Sequence, residues 1–189
     1  MRPRAFSISV LMIAALAWSG AAADERNDFG WTALSDGAIV LFRHSSAPGI
    51  GDPPHMKLGN CATQRNLDQA GRDQARRIGE AFRARKIMIG AVLASEWCRT
   101  TETAELAFPG LVRPEPVFNS FFNEADAKAS ERTKAAQRIL TDWRGPGVLV
   151  VSTHQVNITA LTGRVPGSGE GIVLARRGDA LVVVGAVTP

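Results

Sequence analysis

The chain has 189 residues, 45% of them hydrophobic and 21% charged, with a formal net charge of +4; this balance belongs to a globular protein and excludes a disordered or collagen-like chain. Its 18 Gly and 10 Pro follow no repeat period, which excludes a solenoid or propeller and leaves one domain as the expectation. Aromatic residues make up 6% and include no Tyr, which argues against a stacking platform for single-stranded nucleic acid.

The N-terminus reads as a secretory signal. Arg2 and Arg4 precede an apolar run from Ile8 to Trp18, interrupted only by Ser9, and Ala21 and Ala23 supply the small residues of a cleavage site. The run is too short to span ~30 Å of hydrocarbon. The expected organisation is therefore a signal peptide over 1–23, a single domain over 24–189, a periplasmic or secreted location and no stable membrane anchor after cleavage. Cleavage removes Arg2 and Arg4 but no acidic residue, so the net charge falls from +4 to +2. Arg72, Arg76, Arg77, Arg83, Arg85 and Lys86 share one helical stretch and read as its solvated face, so no nucleic-acid partner is expected. Export also favours a disulfide between Cys61 and Cys98. A zinc site, for which no CxxC or HxxxH spacing is present, and free buried thiols are the alternatives.

In chain order, Ala38 to Phe42 is a short continuous apolar run, as expected for a strand buried on both faces. It stops at Arg43-His44, and a Pro- and Gly-rich loop follows from Pro48 to Gly59. A helical pattern begins near Leu67, with Asp68 as its cap and Leu67, Gln74-Ala75, Ile78, Ala81 and Phe82 at helical spacing. Ala91 to Ser95 reads as the second strand and leads through Glu96-Trp97-Cys98-Arg99 into a helix to Phe108, stopped by Pro109-Gly110. Val117 and Phe118 suggest a short third strand, and Ala125 to Trp143 a long amphipathic helix. Val148 to Ser152 is strand-like and ends at Thr153-His154, before a short helix from Gln155 to Thr162 closed by Gly163. Gly171 to Ala175 and Ala180 to Val187 read as two strands joined by a hairpin at Arg177-Gly178-Asp179.

This alternation implies an α/β fold, a three-layer sandwich with a mainly parallel sheet flanked by helices. Ligands of such sheets bind beyond the carboxyl ends of the strands. There the sequence delivers Arg43-His44, Arg99 and His154. Guanidinium forks match phosphoryl oxygens two at a time, and a neutral imidazole is a competent nucleophile, so the set has the composition of a phosphate site. No P-loop is present: Gly49-Ile-Gly51 and Gly167-Ser-Gly169 lack the following Gly-Lys-Ser/Thr. His55, after Pro53-Pro54, reads as a loop histidine. Trp97 reads as packing against the sheet, from where it can also line the pocket.

Four blocks in order, Leu41-Phe-Arg-His-Ser, Asn66-Leu-Asp-Gln-Ala-Gly-Arg-Asp-Gln-Ala75, Ser95-Glu-Trp-Cys-Arg-Thr-Thr-Glu-Thr-Ala104 and Val151-Ser-Thr-His154, resemble the histidine phosphatase superfamily, the phosphoglycerate-mutase-like group. The resemblance runs from about residue 38 to residue 163. It implies a phosphomonoester hydrolase working through a phosphohistidine, without cofactor or metal. His44 would be the nucleophile, Arg43 and Arg99 the clamp on the phosphoryl oxygens, and His154 a further contact. The substrate would be a small phosphorylated molecule; the export signal and the small size resemble periplasmic members that act on phosphorylated envelope sugars.

Three positions depart from the family pattern. Ser45 stands where the family has Gly after Arg-His. The Asn that commonly follows has no counterpart before the Pro48 to Gly59 loop. Phe118-Asn119-Ser120 replaces the segment that carries the family's acid, so the proton donor must come from elsewhere. Glu124 is the choice for reach; Asp126 and water remain open, as does the role of Glu124 as a carboxylate favoured at a helix start. Without a donor the chain would be a non-catalytic phosphate-binding module of the same fold. A phosphotransferase or mutase is disfavoured by export.

Overall fold

The computed structural model describes residues 29–189. The expected signal peptide, residues 1–23, lies outside the described residues. Six strands form one sheet: β1 (Ile39–Arg43), β2 (Ile89–Ala94), β3 (Val112–Pro114), β4 (Val148–Thr153), β5 (Gly171–Arg177) and β6 (Ala180–Val187). Four helices connect them: α1 (Gln69–Ala84), α2 (Cys98–Ala107), α3 (Asp126–Asp142) and α4 (Gln155–Thr162). The strand order is β3-β2-β4-β1-β5-β6. The pairs β3–β2, β2–β4 and β4–β1 are parallel, whereas β5 and β6 continue the sheet antiparallel, as the hairpin between them requires. The fold is the expected three-layer α/β sandwich.

The period-2 pleat divides the apolar strand residues between two cores. Val40, Phe42, Val92, Val148 and Val150 pack with Ile78 and Phe82 of α1 and Ala104 and Ala107 of α2. Ile39, Leu41, Leu149 and Val151 pack on the opposite face with Phe118, Ala136 and Leu140 of α3 and Ile158 of α4. Phe82 anchors the first core, with ring centroids 5.5 Å from Trp31, 6.0 Å from Phe42 and 5.1 Å from Phe108.

Helix α1 starts where Asp68 accepts the Gly71 N–H at 2.7 Å, so the expected cap is in place. Its buried stripe of Gly71, Ala75, Ile78, Gly79 and Phe82 follows helical spacing, and Arg76, Arg77, Arg83, Arg85 and Lys86 stay on the exposed side. Gly71 is required: a Cβ there would lie 2.0 Å from the Ser46 carbonyl oxygen. This approach presses the helix onto the segment that follows His44.

One expected element moves. Residues 116–118 form a 3-10 turn rather than a strand, and the third strand lies earlier, at Val112–Pro114. Pro116 lacks an N–H for a strand ladder, and the Glu115 side chain accepts the Val117 N–H, which favours a turn. Pro114 is tolerated because β3 is an edge strand. Among the described residues, no helix is long and apolar enough to cross a membrane.

Cys61 and Cys98 form a disulfide with a Cα–Cα distance of 5.6 Å, joining the loop after β1 to the first turn of α2. Cross-linking a loop of this length restricts the unfolded chain. Replacing Cys61 and Cys98 by Ser should lower the unfolding free energy by about 2–4 kcal/mol in urea titrations; an unchanged transition midpoint would contradict this role.

Candidate active site

The carboxyl ends of the three central strands build the site. His44 follows β1, and its backbone N–H continues the parallel pairing by donating to the Thr153 carbonyl at 3.0 Å. His154 follows β4 at the N-terminus of α4. Ser95 follows β2, and its N–H donates to the Ser152 carbonyl at 3.0 Å. Parallel register thus places the two histidines side by side, with ring centroids 5.7 Å apart. Arg43 ends β1, and Arg99 is the second residue of α2. Arg43, His44, Arg99 and His154 all line one cleft of about 540 Å³. A cleft of similar volume beside β5 and β6 is lined by no histidine.

His44 is buried and donates from Nδ1 to the Ser45 carbonyl at 2.8 Å. That bond assigns the proton to Nδ1 and leaves the lone pair on Nε2. His154 is also buried, and its Nε2 lies 2.9 Å from the Ser95 hydroxyl, while Nδ1 lies 3.5 Å from an Arg99 nitrogen. Ser95 in turn donates to Asn119 Oδ1 at 3.2 Å. The chain of donors sets His154 as the Nε2–H tautomer.

Burial, only partly opposed by the Ser45 hydrogen bond, lowers the His44 pKa to about 3, with Arg99, Arg65 and Arg43 adding to the effect. Burial and then Arg99 push His154 well below the ordinary histidine value. Both rings are therefore neutral at physiological pH, the state a nucleophile requires. Burial and the charge of Arg99 also lower the pKa values of Arg43 and Arg65, as expected where three cations crowd together.

Two residues absent from the expected set belong to this cluster. Asp52, in the loop after β1, accepts from Arg99 through both oxygens, at 2.8 Å and 3.0 Å, from the Arg65 backbone N–H at 3.1 Å and from Trp97 Nε1 at 3.0 Å. Burial opposes ionisation of Asp52, but these donors outweigh it and hold the carboxyl below its usual range. Arg65 lines the cleft and secures the loop, donating from Nε to the Gly51 carbonyl at 2.7 Å and from its terminal nitrogen to the Ala47 carbonyl. Asp52 is the only acidic residue between Pro48 and Cys61. Two arginines converging in a nearly neutral chain call for a carboxylate, and that was the available signal.

The remaining expected residues divide. Trp97 lines the cleft, while His55 is exposed and outside its wall. Ser45 is fully buried and not part of the wall, so its side chain does not stand between the backbone and a ligand. Ser120 and Glu124 line the cleft; Asp126 is exposed in the first turn of α3 and does not. Glu124 precedes α3 and pairs with Arg132 at 2.7 Å, while its second oxygen is buried without a partner. The Nε atoms of Arg43 and Arg99 are likewise buried and unpartnered. Arg43 and Arg99 both line the cleft, and two guanidinium groups on one wall suit the oxygens of a phosphoryl group. Among the described residues, no group of three or more His, Cys, Asp or Glu side chains converges in metal-binding fashion.

No family model and no curated protein matches the sequence. Solved structures do match. The product of open reading frame Rv3214 from Mycobacterium tuberculosis aligns with a TM-score of 0.59 at 16% identity, over 80% of this chain and 97% of that one. The protein histidine phosphatase SixA, complexed with tungstate, aligns with a TM-score of 0.58 at 17% identity, over 80% and 97% of the two chains. A phosphoserine phosphatase variant from Entamoeba histolytica, in complex with phosphoserine, aligns with a TM-score of 0.60 at 12% identity, over 79% and 95%. These likenesses show that the chain has the phosphoglycerate-mutase-like fold of histidine phosphatases.

The depressed histidine pKa values carry a pH signature. In the unfolded chain each ring protonates near pH ~6.5. The unfolded state therefore binds more protons than the folded state below that pH, and stability falls as pH drops from there toward about 3, the folded value of His44. The ring resonances of His44 and His154 should keep their neutral-form shifts from about pH 8 to about pH 5 in NMR titrations. A midpoint inside that range for either ring would contradict the buried, cation-flanked setting.

Proposed function

We propose that the chain is a phosphomonoester hydrolase that works through a phosphohistidine at His44. The observation that carries this reading is a buried neutral imidazole with a free Nε2, set among three arginines that line the same cleft. Nε2 of His44 attacks phosphorus and the P–O bond to the leaving group breaks. The departing oxygen takes a proton, from Glu124 in our reading. Water then attacks phosphorus and passes a proton to the Glu124 carboxylate, restoring the acid, while the P–N bond breaks and its electron pair returns to Nε2, releasing inorganic phosphate and neutral His44. Arg43 and Arg99 hold the phosphoryl oxygens throughout, while His154, its Nε2–H given to Ser95 and its Nδ1 facing Arg99, packs beside His44 and steadies the site rather than gripping the phosphoryl group. The guanidinium charges do the neutralising work, so the reaction proceeds without metal and survives chelation by EDTA.

The proposed setting is the periplasm or the extracellular medium, supported by the signal-like N-terminus and by the Cys61–Cys98 disulfide, a bond suited to an oxidising compartment. A phosphorylated envelope sugar is the proposed substrate. Ser120, Asn123 and Gln155 on the cleft wall offer hydrogen-bonding groups of the kind a polyhydroxylated leaving group needs.

A phosphate-binding module without turnover is the competing reading. The observation on its side is that Glu124 is held by Arg132 at 2.7 Å, a pairing that competes with its use as a proton donor. Brief exposure to a labelled phosphomonoester followed by denaturation at alkaline pH, where phosphohistidine survives, should trap label on the wild-type chain. His44→Ala should trap none and retain less than about a tenth of the wild-type turnover. Turnover above that level, or an unlabelled wild-type chain, would remove the assignment.

The role of Glu124 is read from its leaving-group dependence. Glu124→Gln should slow hydrolysis of alkyl phosphates at least about tenfold more than hydrolysis of p-nitrophenyl phosphate, whose leaving group needs little protonation. Equal effects on both substrates would reduce Glu124 to a partner of Arg132 and leave water as the donor.

A further inference from the structure

We propose that Asp52 is a positioning residue for phosphoryl binding, one that keeps its hold on Arg99 while the substrate is bound; this rests on the phosphatase reading above. The carboxylate takes four N–H donors: two from Arg99, one from the Arg65 backbone and one from the Trp97 indole. Four donors fill the acceptor capacity of a carboxylate, so Asp52 has no lone pair left to activate water or pass a proton. Its contribution is to Arg99. Both NH1 and NH2 are anchored, which fixes the plane of the guanidinium and holds its charge at the cleft wall, where a phosphoryl group would meet it.

The alternative is that Asp52 is a placeholder that a phosphate displaces. Two observations favour the permanent role. The first is how firmly the loop is held: Arg65 donates to the Ala47 and Gly51 carbonyls, Gln64 bridges the Lys57 carbonyl and the Cys98 N–H, and the disulfide fastens Cys61 to Cys98. Displacement of Asp52 would have to strain or break these ties. The second is charge. Arg43, Arg65 and Arg99 carry three positive charges, both histidines are neutral and Glu124 is offset by Arg132, so with Asp52 retained the site offers two, the complement of a phosphomonoester dianion.

The Trp97 indole N–H reports on the contact directly in the wild-type protein. Saturation with inorganic phosphate should leave its resonance, assigned with Trp97→Phe, in place and slow to exchange with solvent. Loss of the resonance, or its exposure to exchange, would show Asp52 displaced and overturn the proposal. A second readout is Asp52→Asn, with its folding checked by thermal melting. Inorganic phosphate, measured as a competitive inhibitor, should bind this variant at least about fivefold more weakly, with kcat/KM lower and part of both recovered in Asp52→Glu. Any smaller weakening, no change, or tighter binding would overturn the proposal, since a displaced competitor strengthens phosphate binding when it is removed. If Asp52→Asn does not fold, the wild-type indole resonance decides. A wild-type protein that neither binds phosphate nor turns over phosphomonoesters would instead sink the phosphatase reading and this inference with it.

Discussion

Arg99 is a cation buried at the carboxyl edge of the sheet, with only 3% of its surface exposed, and the surrounding structure is arranged to hold it there. An uncompensated buried charge costs several kcal/mol, so such a residue persists only with a well-placed counterion. Asp52 supplies it from 47 positions away in sequence, through the loop after β1, whose regular structure is limited to a 3-10 turn at Cys61–Thr63 and a Lys57–Asn60 bridge. That demand explains why the loop is so heavily tied. Arg65 and Gln64 hydrogen-bond its backbone, Thr63 bridges Lys57 and Asn60, and the disulfide attaches it to α2. These hydrogen bonds and the disulfide offset part of the conformational entropy of ordering such a loop.

The same cations set the chemistry of the histidines. An isolated surface histidine is partly protonated near neutral pH and then a poor nucleophile. Here low solvent access and three neighbouring arginines both oppose protonation of His44, and the Ser45 carbonyl fixes the tautomer. In the proposed reaction, the charges that attract a phosphate also keep its attacker neutral, so that one electrostatic arrangement meets two requirements of phosphoryl transfer, at the expense of stability in acid.

What was legible in the sequence was whatever depends on local pattern. The buried strands show as apolar runs, α1 as a capped amphipathic repeat, and the site histidines as polar residues that interrupt strand ends. Reading Val117-Phe118 as a strand failed because β-branched and aromatic propensity outranked the Pro at 116, whereas in the structure the missing N–H decides. Asp52 and Arg65 were illegible for a different reason. Their roles come from a loop that folds back across the strand ends, and neither periodicity nor composition encodes that path. The Glu124–Arg132 pair is local in sequence, its partners 8 positions apart, but one precedes α3 and the other lies within it, so helical spacing alone does not foretell it.

Asn119, in the segment where the resemblance would lead one to expect an acid, is committed to a hydrogen-bond network instead. Its Oδ1 accepts from the Glu96 N–H at 2.8 Å and from the Ser95 hydroxyl at 3.2 Å, and its Nδ2 donates to the Glu96 carboxylate at 2.8 Å. An amide both accepts and donates, and this network needs both. An ionised carboxylate at 119 would accept the first two bonds but face Glu96 as a second negative charge, and a protonated one would donate only by giving up its availability to a substrate. Glu96, which directly follows Ser95 at the end of β2, is therefore incompatible with an acid at 119 acting on a leaving group. Asn119 instead acts as a strut: through Ser95 it steadies His154, and through its carbonyl it accepts the Asn157 side chain of α4 at 2.9 Å. With Asn119 committed to structure, the proposed reaction is left with Glu124, on the cleft wall, or solvent as the source of a proton for the leaving group.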